Sequence, residues 1–173
     1  MVVDPASADH FVSGYTSLFS EVYRQSGDKP HEQLLDMLAA ARKAGNADPS
    51  LISAAATSLA ADGRAVPSDV LHAVETMRLK RWVFLRDTTT HSVFIAPDGS
   101  EAYAILGLTD RIRSIVGGSA VVIEAGVVEY RGRYVCDGIV VNPIWLGSNL
   151  KKEFNAALSS LKKKGRLHIT CEP

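Results

Sequence analysis

The chain predicts an α+β protein: an amino-terminal subdomain of four helices packed on a small antiparallel sheet or partly open barrel, with a carboxyl-terminal helix. Three observations predict it. Apolar residues recur at helical spacing up to about residue 80, the period then drops to two as β-branched and aromatic residues take over, and glycine or proline marks most boundaries between runs. The expected division is a helical subdomain over residues 1–80, followed over 81–173 by a β subdomain with a short internal helix and a lysine-rich last helix.

In the first half, Phe11, Tyr15, Leu18 and Val22 share one helical face, so residues 8–26 form an amphipathic helix that Gly27 stops. Asp28-Lys29-Pro30 starts a second, because Asp accepts from free backbone N–H groups and Pro in the first turn loses no needed bond. Its expected buried stripe is Leu34, Leu35, Leu38 and Ala41, and Gly45 is its expected end. Asp48-Pro49 repeats the signal for a third helix, carrying Leu51, Ile52, Ala55 and Leu59 and closing at Gly63. The fourth starts at Pro67-Ser68, with Val70, Leu71, Val74 and Met77 inward. Three of the four glycines here are expected as left-handed helix ends.

In the second half the predicted strands are 82–86, 92–96 and 102–106, with Pro97-Asp98-Gly99-Ser100 as a turn. Thr109 or Asp110 caps a short helix that turns Ile112, Ile115 and Val116 inward, and Gly117-Gly118 ends it. Residues 121–147 then read as a long hairpin turned at Arg131-Gly132. Ser148 or Asn149 caps the last helix, with Leu150, Phe154, Ala157, Leu158 and Leu161 inward, and Gly165 releases a final strand over 166–171. Three strands, a helix and two strands is the order of an oligonucleotide- or oligosaccharide-binding barrel. A twisted sheet backed by helices has the same order.

With 46% hydrophobic and 22% charged residues, the chain is not disordered throughout. No apolar run approaches the roughly 20 residues of a membrane-spanning helix, and the first residues lack a signal pattern. The expectation is a cytoplasmic protein with no membrane partner, in which Cys136 and Cys171 are buried thiols. The formal net charge is zero, but residues 151–166 place Lys151, Lys152, Lys162, Lys163, Lys164 and Arg166 against Glu153 alone. Such a run forms a solvated helix face or attracts polyanions.

Candidate chemistry is sparse. In a two-residue turn at Arg131-Gly132, Tyr130 pairs with Arg133, Val128 with Val135, Gly126 with Asp137 and Glu124 with Ile139. Glu124 and Asp137 then become diagonal neighbours on an apolar face, the setting of an acid–base pair or a hard-metal site in a small hydrolase or metal-dependent enzyme. In the rival register Asp137-Gly138 is itself a tight turn, and the carboxylate bonds its own loop.

Winged helix-turn-helix order is present in the helices from Asp48 and Ser68 and the strands around residues 87–91, but Ser68-Asp69-Val70-Leu71-His72 makes a poor reading helix and its half is net negative. Nucleic-acid contact falls instead to the six basic residues of 151–166, with stacking from exposed members of Trp82, Phe84, Phe94, Tyr103, Tyr134 and Trp145. His10, His31, His72, His91 and His168 have no metal spacing, and no cofactor motif occurs.

Tyr130-Arg-Gly-Arg-Tyr-Val-Cys-Asp137-Gly138, followed by Asn142-Pro143-Ile144-Trp145-Leu146-Gly147 and a lysine-rich helix, resembles the carboxyl-terminal segment of uncharacterised bacterial proteins with an aromatic-x-Gly-x-x-x-x-Asp-Gly strand pair. Some of those proteins carry SEC-C zinc motifs. This chain lacks that cysteine-rich tail, and the resemblance covers about its last third, implying a shared module without a known activity. The leading expectation is a non-catalytic binding or interaction module for an unknown protein or ligand. The alternatives are the Glu124/Asp137 enzyme and the lysine-helix nucleic-acid binder. An alanine-rich stretch over 53–61 permits close helix approach and a homo-oligomer.

Overall fold

A computed structural model describes residues 1–27 and 33–171. The Asp28-Lys29-Pro30 helix start and His31 fall outside the described residues. The protein is α+β, in two compact units: Pro5–Met77, and Met1–Asp4 together with Arg78–Pro173. The boundary precedes the expected residue 80 because Arg78, Leu79 and Lys80 already pair with a neighbouring strand.

The helical unit contains α1 (Pro5–Ser26), α2 (Leu34–Ala47), α3 (Pro49–Ala61) and α4 (Ser68–Glu75). The predicted α1 face is buried, and Phe11, Tyr15 and Phe19 pack as a ladder of rings 5.4 and 4.5 Å apart. Asp48 caps α3 by accepting from the Ser50 amide at 3.0 Å. Three expectations are corrected. Leu34 and Leu35, the first two residues of α2, are exposed, while Leu38 and Ala41 further along are buried. Ile115, in the second unit, is likewise exposed. Gly45 does not end α2 but sits inside it, where an added Cβ would come within 2.5 Å of Ile52 Cδ1. It permits the close approach of α3, so only Gly27 and Gly63 take left-handed conformations near helix ends here.

The second unit opens with β1 (Arg78–Asp87), whose first half pairs with β4 (Val121–Tyr130) and whose second half pairs with β2 (Ser92–Ile95). A register shift between Phe84 and Arg86 bends β1 at the handover. β2 pairs with β3 (Ala102–Leu106), β3 with β5 (Arg133–Cys136), and β5 with β4. The ladders therefore run β1-β2-β3-β5-β4 and return to β1. The expected antiparallel sheet is in fact mixed, because β3 and β5 run parallel. The hairpin explains this: β4 gives one edge to β1 and the other to β5, so the outer edge of β5 meets β3 in the same direction.

Side chains alternate across this circuit as the pleat requires. Trp82, Phe84, Phe94, Tyr103, Ile105, Ile123, Ala125, Val127, Tyr134 and Cys136 form one buried cluster, joined by Ile112 and Val116 of the short α5 (Ile112–Val116). Arg111 rather than Thr109 or Asp110 precedes α5, without a side-chain cap. Val83, Leu85, Val93, Ile95 and Ala102 form a second cluster with Leu158 and Leu161 of α6 (Ser148–Lys163). Neither Ser148 nor Asn149 caps α6, which begins at Ser148 after Gly147, and Leu150 is exposed. The final strand shortens to β7 (Leu167–His168), parallel to β3, with Thr170 bridging Arg133. β1 and β2 thus belong to the circuit rather than to a wing. Among the described residues no helix is long and apolar enough to cross a membrane.

Glu21 gives the helical unit a pH-dependent component. Its carboxylate accepts from Arg24 Nε at 2.8 Å and Gln25 Nε2 at 2.7 Å, and these bonds pull its pKa down to about 2. A depressed carboxyl pKa stabilises the fold above the unfolded value of about 4.3, and that contribution disappears as pH falls through the folded value. In urea unfolding, Glu21→Gln is expected to lower the midpoint at pH 6–7, with the gap to wild type closing as pH drops from about 4.5 toward 2. A gap that stays constant over that range contradicts the assignment.

Candidate functional site

The hairpin turn forms at Arg131-Gly132 with φ of 49° and 72°. Two positive φ values in succession define the type I′ turn that matches strand twist. Tyr130 faces Arg133 and Val128 faces Val135, as expected. Gly126 still faces Asp137, as expected, and beyond Asp137 the register departs from expectation. The Asp137 amide donates to the Gly126 carbonyl at 3.0 Å, and Asp137 Oδ1 accepts from the amides of Gly126 at 3.3 Å and Ile139 at 3.2 Å. Gly138 takes a φ of 84°, and the ladder resumes in β6 (Val141–Trp145) with Glu124 opposite Val141 instead of Ile139.

The two-residue hairpin holds, whereas Asp137-Gly138 is a bend and not the tight turn of the rival register, because β5 and β6 both run antiparallel to β4; only the carboxylate's bond to its own loop survives from that reading. Asp137 is buried and turned onto the backbone of its own bend. Glu124 lies opposite Arg81 of β1, one residue from the inward-facing Ile123 and Ala125 and so on the other face of β4. No group of three or more His, Cys, Asp or Glu suited to a metal ion occurs among the described residues.

Sequence reasoning missed the most connected side chain of this unit. Arg78, first in β1, donates to Glu129 of β4 at 2.8 Å and places its guanidinium carbon 5.6 Å from the Tyr103 ring centroid and 5.7 Å from that of Tyr134. The Tyr103 hydroxyl donates to Glu101 at 2.9 Å, Lys80 donates to the same carboxylate at 3.0 Å, and His168 stacks on the Tyr103 ring. Burial first, then Glu101, pushes the Tyr103 phenol up to about 12. Burial followed by the Glu129 charge raises the Cys171 thiol. Both groups stay protonated at neutral pH, so the cluster holds strands together without offering a nucleophile. No single-residue signal in the sequence announced it, because its members come from five separate segments.

The aromatics are mostly core: Trp82, Phe84, Phe94, Tyr103 and Tyr134 are buried, and only Trp145, 59% exposed, is open to solvent. The basic residues divide. All six are exposed, but Arg166 donates to the Ser100 carbonyl at 3.3 Å and Lys164 follows the helix end. Arg86 of β1 reaches Asn155 of α6 through its guanidinium.

A small cleft opens between the β1–β2 turn and the β4–β5 turn, about 60 Å³ in volume and lined by Thr90, His91, Ala104, Leu106, Arg133 and Ile169. Its rim is preset: Thr88 Oγ1 donates to the His91 carbonyl at 2.8 Å and accepts from the His91 amide at 3.0 Å. Burial, and then positive charges including those of Lys162 and Arg133, push the His91 imidazole below its ordinary pKa. A hollow with the Arg133 guanidinium and a neutral imidazole on its lining suits an anionic group. The helical unit has a larger groove of about 650 Å³ with Arg24 and Arg64 on its lining. Those two arginines are already paired, with Glu21 and Asp62.

Comparison with protein-family models, curated proteins and solved structures returned no match.

Asp137→Ala is expected to destabilise the protein by about 2–4 kcal/mol in denaturant unfolding, since two buried amides lose their acceptor at about 1–3 kcal/mol each. Asp137→Asn, which keeps an acceptor oxygen, is expected to recover most of that loss. Equal losses for the two variants would show that charge, not amide bonding, is what the site requires.

Proposed function

We propose that the protein is a non-catalytic binding module in which the β unit, a small barrel of the oligonucleotide- or oligosaccharide-binding strand order, receives an anionic group in the cleft beside His91 and Arg133. In that order, ligands meet the outer face of the second and third strands and the loops after the first and fourth. The observation that carries the reading is the cleft itself: it lies between the loop after β1 and the start of β5, with His91 and Arg133 both on its lining. The non-catalytic part rests on Asp137 being occupied by amides and on the upward shifts of Tyr103 and Cys171.

The test follows the His91 ring by NMR through a pH titration, in chloride and then in inorganic phosphate at matched ionic strength. A bound anion offsets Lys162 and Arg133 and favours the imidazolium, so the His91 pKa is expected to rise in phosphate. In Arg133→Ala the phosphate-dependent rise is expected to shrink. Identical titrations in the two salts would overturn the reading.

A further inference from the structure

In this strand order the outer face of the second and third strands is the usual ligand platform. Here it is covered. Val93 and Ile95 of β2 and Ala102 of β3 are buried with Leu158 and Leu161 of α6, so a ligand held at the cleft has no open sheet face along which to continue. The surface next to the cleft is α6 itself.

At 100° per residue, Lys151, Lys152, Lys162 and Lys163 fall within one sector of about 120°, beside the stripe that buries Leu158 and Leu161. Glu153, the only acid in α6, falls outside that sector. The sector spans about 16 Å along the axis from Lys151 to Lys162. Arg86 joins it through Asn155, on the same side of the helix. The sector faces the cleft's end of the sheet, since Asn155 meets Arg86, Arg86 lies opposite Val93, and Val93 lies opposite the cleft-lining Ala104. The lysine flank and the cleft, with Arg133 on its lining, together make a candidate track near one end of the sheet.

We propose that this track binds a single-stranded nucleic acid, with one phosphate seated in the Arg133–His91 cleft and the following phosphates lying along the Lys151, Lys152, Lys162 and Lys163 flank of α6. This rests on the anion-binding reading of the cleft. The size of the hollow supports a single phosphate: about 60 Å³ is near twice the liquid volume of one water, too small for a stacked base pair. A flexible strand can dip one phosphate into a recess and lay its neighbours on a helix, whereas a duplex holds its phosphates on a stiff rod. An anionic membrane would also need apolar side chains inserted beside the cations. Between the paired lysines the sector holds Asn155 and Ser159, which supply none. With Trp82, Phe84, Phe94, Tyr103 and Tyr134 buried and Trp145 alone of the six candidate aromatics exposed, binding depends on phosphates more than on base identity.

The experiment measures binding of a fluorescent single-stranded DNA 15-mer to the full chain across a salt series, beside the same sequence as a duplex and vesicles rich in anionic lipid. About four to five phosphate contacts give an expected log–log salt slope near −3 for a single strand. Reversing two charges of the flank, Lys152→Glu with Lys163→Glu, is expected to weaken binding about tenfold or more at low salt and to flatten the slope by about one to two. The urea midpoint of that variant, whose altered residues are exposed, checks that it folds. Strand binding unchanged by the reversal, duplex binding as tight as strand binding, or lysine-dependent binding to vesicles alone each overturns the proposal. Inorganic phosphate titrated against His91 of the wild type separates the two claims. If it shifts His91 while the strand is indifferent to α6, the strand proposal fails and the cleft reading stands; if it does not, the cleft reading fails first.

Discussion

The guanidinium of Arg78, set against the rings of Tyr103 and Tyr134, is the interaction on which the β unit most depends. The circuit of strands has one weak join. β3 and β5 meet over two residue pairs, Ile105 with Tyr134 and Leu106 with Val135, whereas β1 and β4 share seven. Arg78 leaves the long β1–β4 ladder and reaches a ring on each side of that short join, while its bond to Glu129 anchors it to β4. A partly exposed cation on aromatic faces contributes about 0.5–1 kcal/mol per contact, comparable to a sheet pair. One side chain thus couples four strands, and β7 with His168 covers the stretch of β3 that β5 leaves unpaired.

What happens at that join sets the geometry of the candidate site. Arg133 begins β5, immediately before the Tyr134 pairing, and Thr170 bridges it from the carboxyl-terminal segment. Leu106 and Ala104 of β3 form the cleft wall on the other side. The bend at Asp137 has a complementary role at the far end of β5. By bonding the Gly126 and Ile139 amides it carries the chain across residues 137–140, where the ladder is broken, so that β6 can rejoin β4 and launch α6 over β1 and β2. A residue that looks like half of an acid–base pair in the sequence is therefore what directs the lysine-bearing helix onto the sheet.

The fold class was legible because periodicity reports which faces are buried, and every predicted helix and strand exists in some form among the described residues. The Arg131-Gly132 turn was legible for a sharper reason: the hairpin needs two positive φ values, and the alternating residues on either side agree with it. Three features were not. The parallel join of β3 and β5 depends on which edge of β4 is taken first, which no local pattern encodes. Gly45 carries the same letter as a helix cap, but packing against Ile52 decides its place. Of the candidate site, Lys162 was visible in a charge run, while His91 and Arg133 lie 42 residues apart and meet only through the closed circuit. Their nearest sequence signal is their position, His91 at the end of the loop after the first strand and Arg133 at the start of the fifth, which acquires meaning only once the strand order is known.

Hydrogen exchange on Arg78→Met tests the dependence most directly, because Met keeps much of the buried stem and removes the charge. The amides of residues 105–106 and 134–135 are expected to lose protection well before those of the β1–β4 ladder, with residues 121–124 and 81–84 staying close to wild type. Protection lost uniformly across the unit, or retained at the β3–β5 join, would contradict the claim that Arg78 closes the circuit.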